Sequence, residues 1–196
     1  MSATNAPFGL RPAYFPTGLE RAQALTNGIA SGYSSNILKN QPVVYGSTAN
    51  GGTLGTIIPA AATGAVTGAF VGVEWTDTTG RRRVSNYWPA STSGTNIVAY
   101  FYNDLNIVYE IQSDATIAQT AIGNEYNFSN ITAGSTTTGL SAATLGVSTA
   151  AGAGNQAQLR VVDIAAYPDN AWGDAYVIVR VQIANSQFYG AVTAVA

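Results

Sequence analysis

The sequence predicts an all-β fold: an antiparallel β-barrel or sandwich of short strands with an extended N-terminal arm. Three observations predict it. Short runs of β-branched and aromatic residues are broken at intervals by Gly, Asn and Thr. The last such run, AYVIVRVQI, alternates, with Val177, Val179, Val181 and Ile183 on one face and Ile178, Arg180 and Gln182 on the other. No stretch sustains three turns of amphipathic helix; the best, ATIAQTAIGNEY, contains Gly123 and several β-branched residues.

Residues 1–35 form the arm and residues 36–196 a single β-rich domain. Pro7, Pro12 and Pro16 exclude a regular helix or central strand in the arm. Its aromatic residues are unlike a disordered linker. The segment either docks those aromatics on a partner or lies across its own domain. NILKNQPVVYG gives a strand with Pro42 at an edge or a strand start. Asn50-Gly51-Gly52 marks a turn before GTIIPA. AVTGAFVGVEW alternates imperfectly through Val66, Phe70, Val73 and Trp75, and its glycines point to a bulge or close packing. RVSNYWPA follows. NIVAYFYNDLNIVYEIQ reads as a hairpin of strands 97–102 and 107–112 around Asn103–Asn106. Its second strand puts Ile107, Tyr109 and Ile111 on one face and Val108, Glu110 and Gln112 on the other. Residues 129–156, low in complexity, read as a flexible loop or, better given the spacing of Ile131, Leu140, Leu145 and Val147, as one or two exposed strands. AQLRVVDIAAY and AYVIVRVQI then flank a loop at 168–175.

Charge is scarce. Only 9% of the 196 residues are Asp, Glu, Lys or Arg, and the net charge is −2. A free monomer of this composition has little repulsion to keep copies apart, which suggests burial in an assembly or a Ser/Thr-rich surface. A nucleic-acid binder would show a basic excess or stripe, and neither exists here. Cysteine and histidine are both absent, excluding disulfides, thiolate zinc sites and every Ser–His or Cys–His triad. MSATNAPFGLRPAYFP has neither a charged n-region nor an apolar h-region, and no apolar run approaches a membrane span. The expectation is a protein made in a cytoplasm, with no membrane partner.

The acids give no reaction centre. Asp169, Asn170 and Asp174 have the residue types for a shared cation but read better as turn residues between strands. Glu110 lacks an obvious carboxylate partner and reads as a surface group. Neither a cofactor nor a metal is expected, and an enzyme is the least supported class.

GRRRVSNYWPAS concentrates three of the eight basic residues in one place and sets Tyr87 and Trp88 beside them. On a strand, Arg81 and Arg83 point one way and Arg82 the other, so the run makes no flat basic patch. It is either a solvated turn or an Arg-plus-aromatic anchor of the kind enriched at interface hot spots. The candidate interface is therefore Arg81, Arg82, Arg83, Tyr87 and Trp88, together with Phe8, Arg11, Tyr14 and Phe15 of the arm.

APFGLRP, ASGYSSNILKNQPVVYG, AFVGVEWTDTTGRRRVSNYWPAS and PDNAWGDAYVIVRVQIANSQF together resemble the head decoration (cement) proteins of tailed bacteriophages, over residues 6 to about 188. The resemblance implies a β-rich virion protein on the outer capsid surface. It would bind the major capsid protein, associate as a homotrimer or sometimes a dimer, and cement neighbouring capsomers against the pressure of packaged DNA. Family members often carry histidine where this chain has Ser186. Competing readings are another virion part, such as a tail or baseplate component, and a carbohydrate-binding β-domain using exposed Trp75, Trp88 or Trp172.

Overall fold

In the computed structural model, which describes residues 4–18, 21–152 and 154–188, two antiparallel sheets pack as a sandwich. The strands are β1 (Arg11–Tyr14), β2 (Gln23–Thr26), β3 (Pro42–Tyr45), β4 (Ile57–Pro59), β5 (Gly68–Asp77), β6 (Arg82–Ser85), β7 (Gly94–Tyr102), β8 (Val108–Gln112), β9 (Glu125–Ser129), β10 (Gly134–Ser135), β11 (Leu140–Ser141), β12 (Thr144–Ala150), β13 (Leu159–Ile164) and β14 (Ile178–Ile183). The first sheet runs β1-β8-β14-β13-β9-β12. The second runs β2-β7-β5-β3-β4, with β6 also paired to β5, and β10-β11 forms a small ribbon.

Side-chain alternation builds two cores. Tyr109, Ile111, Val179, Val181, Leu159 and Phe128 of the first sheet meet Val44, Ile58 and Ala69 of the second. The opposite face of the second sheet carries Val43, Ile57, Phe70, Val73, Trp75, Ala99 and Phe101, covered by Ile29, Ile37 and Trp88 from connecting segments. Strand β3 is thus buried on both faces, which explains why PVVY is continuously apolar. Pro42 starts that strand, one of the two placements expected for it. The register of β5 against β7 shifts between Phe70 and Gly72 and between Glu74 and Thr76, as its irregular alternation foretold. Gly68 lets β7 come close: a Cβ there would lie 1.5 Å from the Tyr102 carbonyl oxygen.

Four expectations need correction. Residues 97–102 and 107–112 do not form a hairpin, because β7 lies in one sheet and β8 in the other. The Asn103–Asn106 turn, in which Asp104 accepts the Asn106 N–H at 2.8 Å, makes a corner between sheets. Strand β8 pairs instead with β14, setting Tyr109 beside Val181 and Ile111 beside Val179 in the core. Nor does residue 35 separate an arm from a body. Strand β1 pairs with β8, β2 pairs with β7, and Leu10 and Ile29 are buried in the two cores. The prolines and aromatics of this segment fit edge strands of its own domain, where missing N–H donors cost nothing. The third and fourth corrections concern Glu110 and Trp88 and belong to the site below. ATIAQTAIGNEY forms a 3-10 turn, Gln119–Ala121, before Glu125 and Tyr126 open β9, and the loop between β13 and β14 spans 165–177.

Candidate functional site

The arginine stretch forms a rigid hairpin tip. Asp77 ends β5, and its Oδ1 accepts the Thr79 N–H at 2.9 Å, the Thr79 hydroxyl at 2.6 Å and the Arg81 N–H at 3.0 Å. Gly80 supplies the positive φ of +81° that closes the turn. Arg83 Nε donates to Asp77 Oδ2 at 2.8 Å. These donors, led by the Thr79 hydroxyl and the Arg83 guanidinium, hold the Asp77 carboxyl well below the usual aspartate range. A depressed folded pKa contributes stability that is complete above the unfolded value, declines as pH falls below it and is lost once pH has fallen through the folded one. The turn is therefore expected to persist well below pH ~3.9, the value of a free aspartate. An NMR titration of the Asp77 carboxyl carbon checks this, and a midpoint at the free value would contradict it.

Arg82 takes the other face, as strand alternation requires. Its Nη2 lies 2.5 Å from Glu74 Oε1, which also accepts the Tyr100 hydroxyl at 2.9 Å. The Arg82 guanidinium and then the Tyr100 hydroxyl lower the Glu74 pKa, and donation to that carboxylate raises the Tyr100 pKa. Two of the three arginines are thus held in place by carboxylates of β5. Arg81 is exposed and forms no ion pair among the described residues. Val84, which sequence reasoning passed over, is 78% exposed beside them.

Trp88 does not belong to this surface. It is fully buried, stacked edge-on against Trp75 with ring centroids 5.4 Å apart. Strand β6 ends at Ser85, and the chain then turns inward so that Trp88 and Ile37 exchange backbone hydrogen bonds at 2.8 and 3.1 Å. Trp88 therefore anchors the second core rather than a partner, while Tyr87 beside it is half-buried. Trp75 is also buried and Trp172 half-buried, so the tryptophans invoked for carbohydrate binding present no open aromatic platform.

The N-terminal candidates engage their own domain. The Arg11 guanidinium carbon sits 4.2 Å from the Phe8 ring centroid, and Arg11 Nη2 lies 2.7 Å from Glu110 Oε2. Glu110, expected at the surface, is only 6% exposed. It gains Arg11 from β1 and Arg180 from β14 as cross-strand neighbours, and accepts the Tyr167 hydroxyl at 2.7 Å. Charge pairing between strands distant in sequence makes that burial tolerable. The Phe15 ring packs on Tyr102 at 5.3 Å. Tyr14 is 45% exposed and is the member of this group most open to a partner.

The two candidate groups border one sheet face. Phe8, Arg11, Lys39, Val71 and Tyr102 line a groove of about 370 Å³. Tyr102 and Tyr100 lie on the same face of β7, two residues apart, and Tyr100 leads to Glu74 and Arg82. The result is a surface running from the N-terminal strand to the hairpin tip. In the β13–β14 loop, Asn170 bonds the backbone of Ala165 and Ile178, and Asp174 accepts the Ala171 N–H. No cluster of three or more potential metal ligands occurs among the described residues.

Compared with protein-family models, with curated proteins and with solved structures, the chain matches none. Fold and geometry define a two-sheet antiparallel β-sandwich with an ordered Arg–Val–Tyr surface.

Proposed function

We propose that this is a structural virion protein that docks on the outer surface of a tailed-phage capsid and cements neighbouring capsomers. The family resemblance motivates the reading, and one structural observation carries it: the β5–β6 tip exposes arginines already ordered by Glu74 and Asp77 beside an exposed valine. Preordered arginine loses less side-chain entropy on docking than a free one and pairs bidentately with carboxylates. The major capsid protein is the proposed partner, and association of the chain as a trimer or dimer belongs to the same proposal. Each copy contributes a modest contact, and repetition by symmetry sums them. The candidate residues are Phe8, Arg11, Tyr14, Phe15 and Tyr87 with Arg81, Arg82 and Arg83; the fully buried Trp88 is withdrawn.

The test is readdition of purified protein to capsids that lack it. Triple Arg81/Arg82/Arg83→Ala substitution is expected to weaken binding about tenfold or more. Undiminished occupancy by the variant, read by densitometry of purified particles, would sink the interface assignment.

A further inference from the structure

The outer edge of β6 faces no other strand among the described residues. Which groups it offers follows from the phase of the ladder. The Asp77 N–H donates to the Arg81 carbonyl at 2.9 Å, so the Trp75/Arg83 and Val73/Ser85 positions exchange backbone bonds in step with it. Arg82 and Val84 consequently direct their N–H and C=O groups away from β5. Strand β5 is consistent with this phase, since Glu74, opposite Val84, also lies opposite Val98 of β7 on the other side.

The open stretch is short and bounded. The Asp77–Gly80 turn closes one end. At the other, Asn86 Nδ2 donates to the Thr138 carbonyl at 3.0 Å, and Gly139 sits so near that a Cβ would lie 2.4 Å from Asn86 Oδ1. Strand β4, at the end of the same sheet, is closed by contrast: Pro59 has no N–H, and the Ile57 N–H is spent on the Gly28 carbonyl.

The geometry points to β6 as a site of strand addition, where an extended acidic segment of the partner pairs with Arg82 and Val84. This rests on the docking reading above and names its mode. Backbone bonds to Arg82 and Val84 supply the pairing, apolar partner residues cover Val84 and the Arg82 stem on one face, and carboxylates meet Arg81 and Arg83 on the other. A second copy of β6 is the wrong occupant, because it would set Arg81, which has no ion pair among the described residues, and the half-exposed Arg82 and Arg83 against their own counterparts with no added carboxylate.

Val84→Pro is the discriminating variant. It deletes an outward N–H and spares the ladder to β5, on an edge where proline is tolerated. Two synthetic peptides of alternating valine and glutamate, or valine and lysine, serve as probes, with backbone amide shifts as the readout. The acidic peptide is expected to shift the Arg82 and Val84 amides, and the basic one to leave them in place. Val84→Pro should lower occupancy on capsids about tenfold at an unchanged melting temperature. N-methylation of the acidic peptide should abolish the shifts on the unaltered protein, so the test survives poor folding of the variant. Equal response to both peptides, or full capsid occupancy by folded Val84→Pro, overturns strand addition. If capsids fail to bind the unaltered protein while the acidic peptide still shifts Arg82 and Val84, the docking reading falls and the edge site stands.

Discussion

Trp88→Ala is expected to lower the unfolding free energy by about 3–5 kcal/mol, read as a shift in urea midpoint at constant slope. The indole is fully buried among Ile37, Val43 and Trp75, in an apolar cluster. Its Nε1 has no hydrogen-bond partner, so alanine forfeits packing and no polar contact. Trp88→Phe should therefore recover a good part of the loss. A loss below about 1 kcal/mol for the alanine variant, the scale of ordinary surface substitutions, would place Trp88 at the surface after all and restore it to the interface.

Glu110→Ala should cost about 2–4 kcal/mol, toward the lower end for a broken buried pair because Arg11 can turn partly to water. The Arg11 and Glu110 side chains are 41% and 8% exposed. Removing the carboxylate leaves Arg180 and the Tyr167 O–H without their acceptor, and Arg11 with only the Tyr167 hydroxyl oxygen, 2.9 Å away, to donate to. Arg11→Ala in the Glu110→Ala background should then cost little more, or even regain stability, whereas independent contributions would add. Strict additivity in urea melts of the four-protein cycle would show that the pair is not coupled. Burial has pushed the Tyr109 hydroxyl pKa up in the same strand, consistent with a dry interior on its core side.

What the residues reveal by themselves here is local. Alternation in AYVIVRVQI put Val177, Val179, Val181 and Ile183 on one face, which is the buried one, and of the two placements open to Pro42, an edge or a strand start, the second is realised. The split of the arginines between faces followed from the two-residue repeat and is realised by Glu74 on one side and Asp77 on the other. Pairing between distant strands left no such trace. Asn103–Asn106 carries turn residues that serve a hairpin and a sheet-to-sheet corner equally, so only competition for β8 by β1 and β14 decides. Glu110 reads as exposed until Arg11, 99 residues away in sequence, is brought beside it. Trp88 was drawn to the surface by its arginine neighbours, although the strand that displays them stops at Ser85. Asp77 and Glu74 lie in the same quoted stretch as the arginines, so their pairing was within reach of a register argument across the Thr76–Gly80 turn.

The most direct test of the proposed virion role is imaging of tailed-phage particles assembled in the presence of this chain, with the molecule fitted to the density. The account predicts many symmetry-related copies on the outer shell, each with Arg81, Arg82 and Val84 turned toward the major capsid protein. Density for the chain confined to the tail or baseplate, or its absence from the particle, would contradict it.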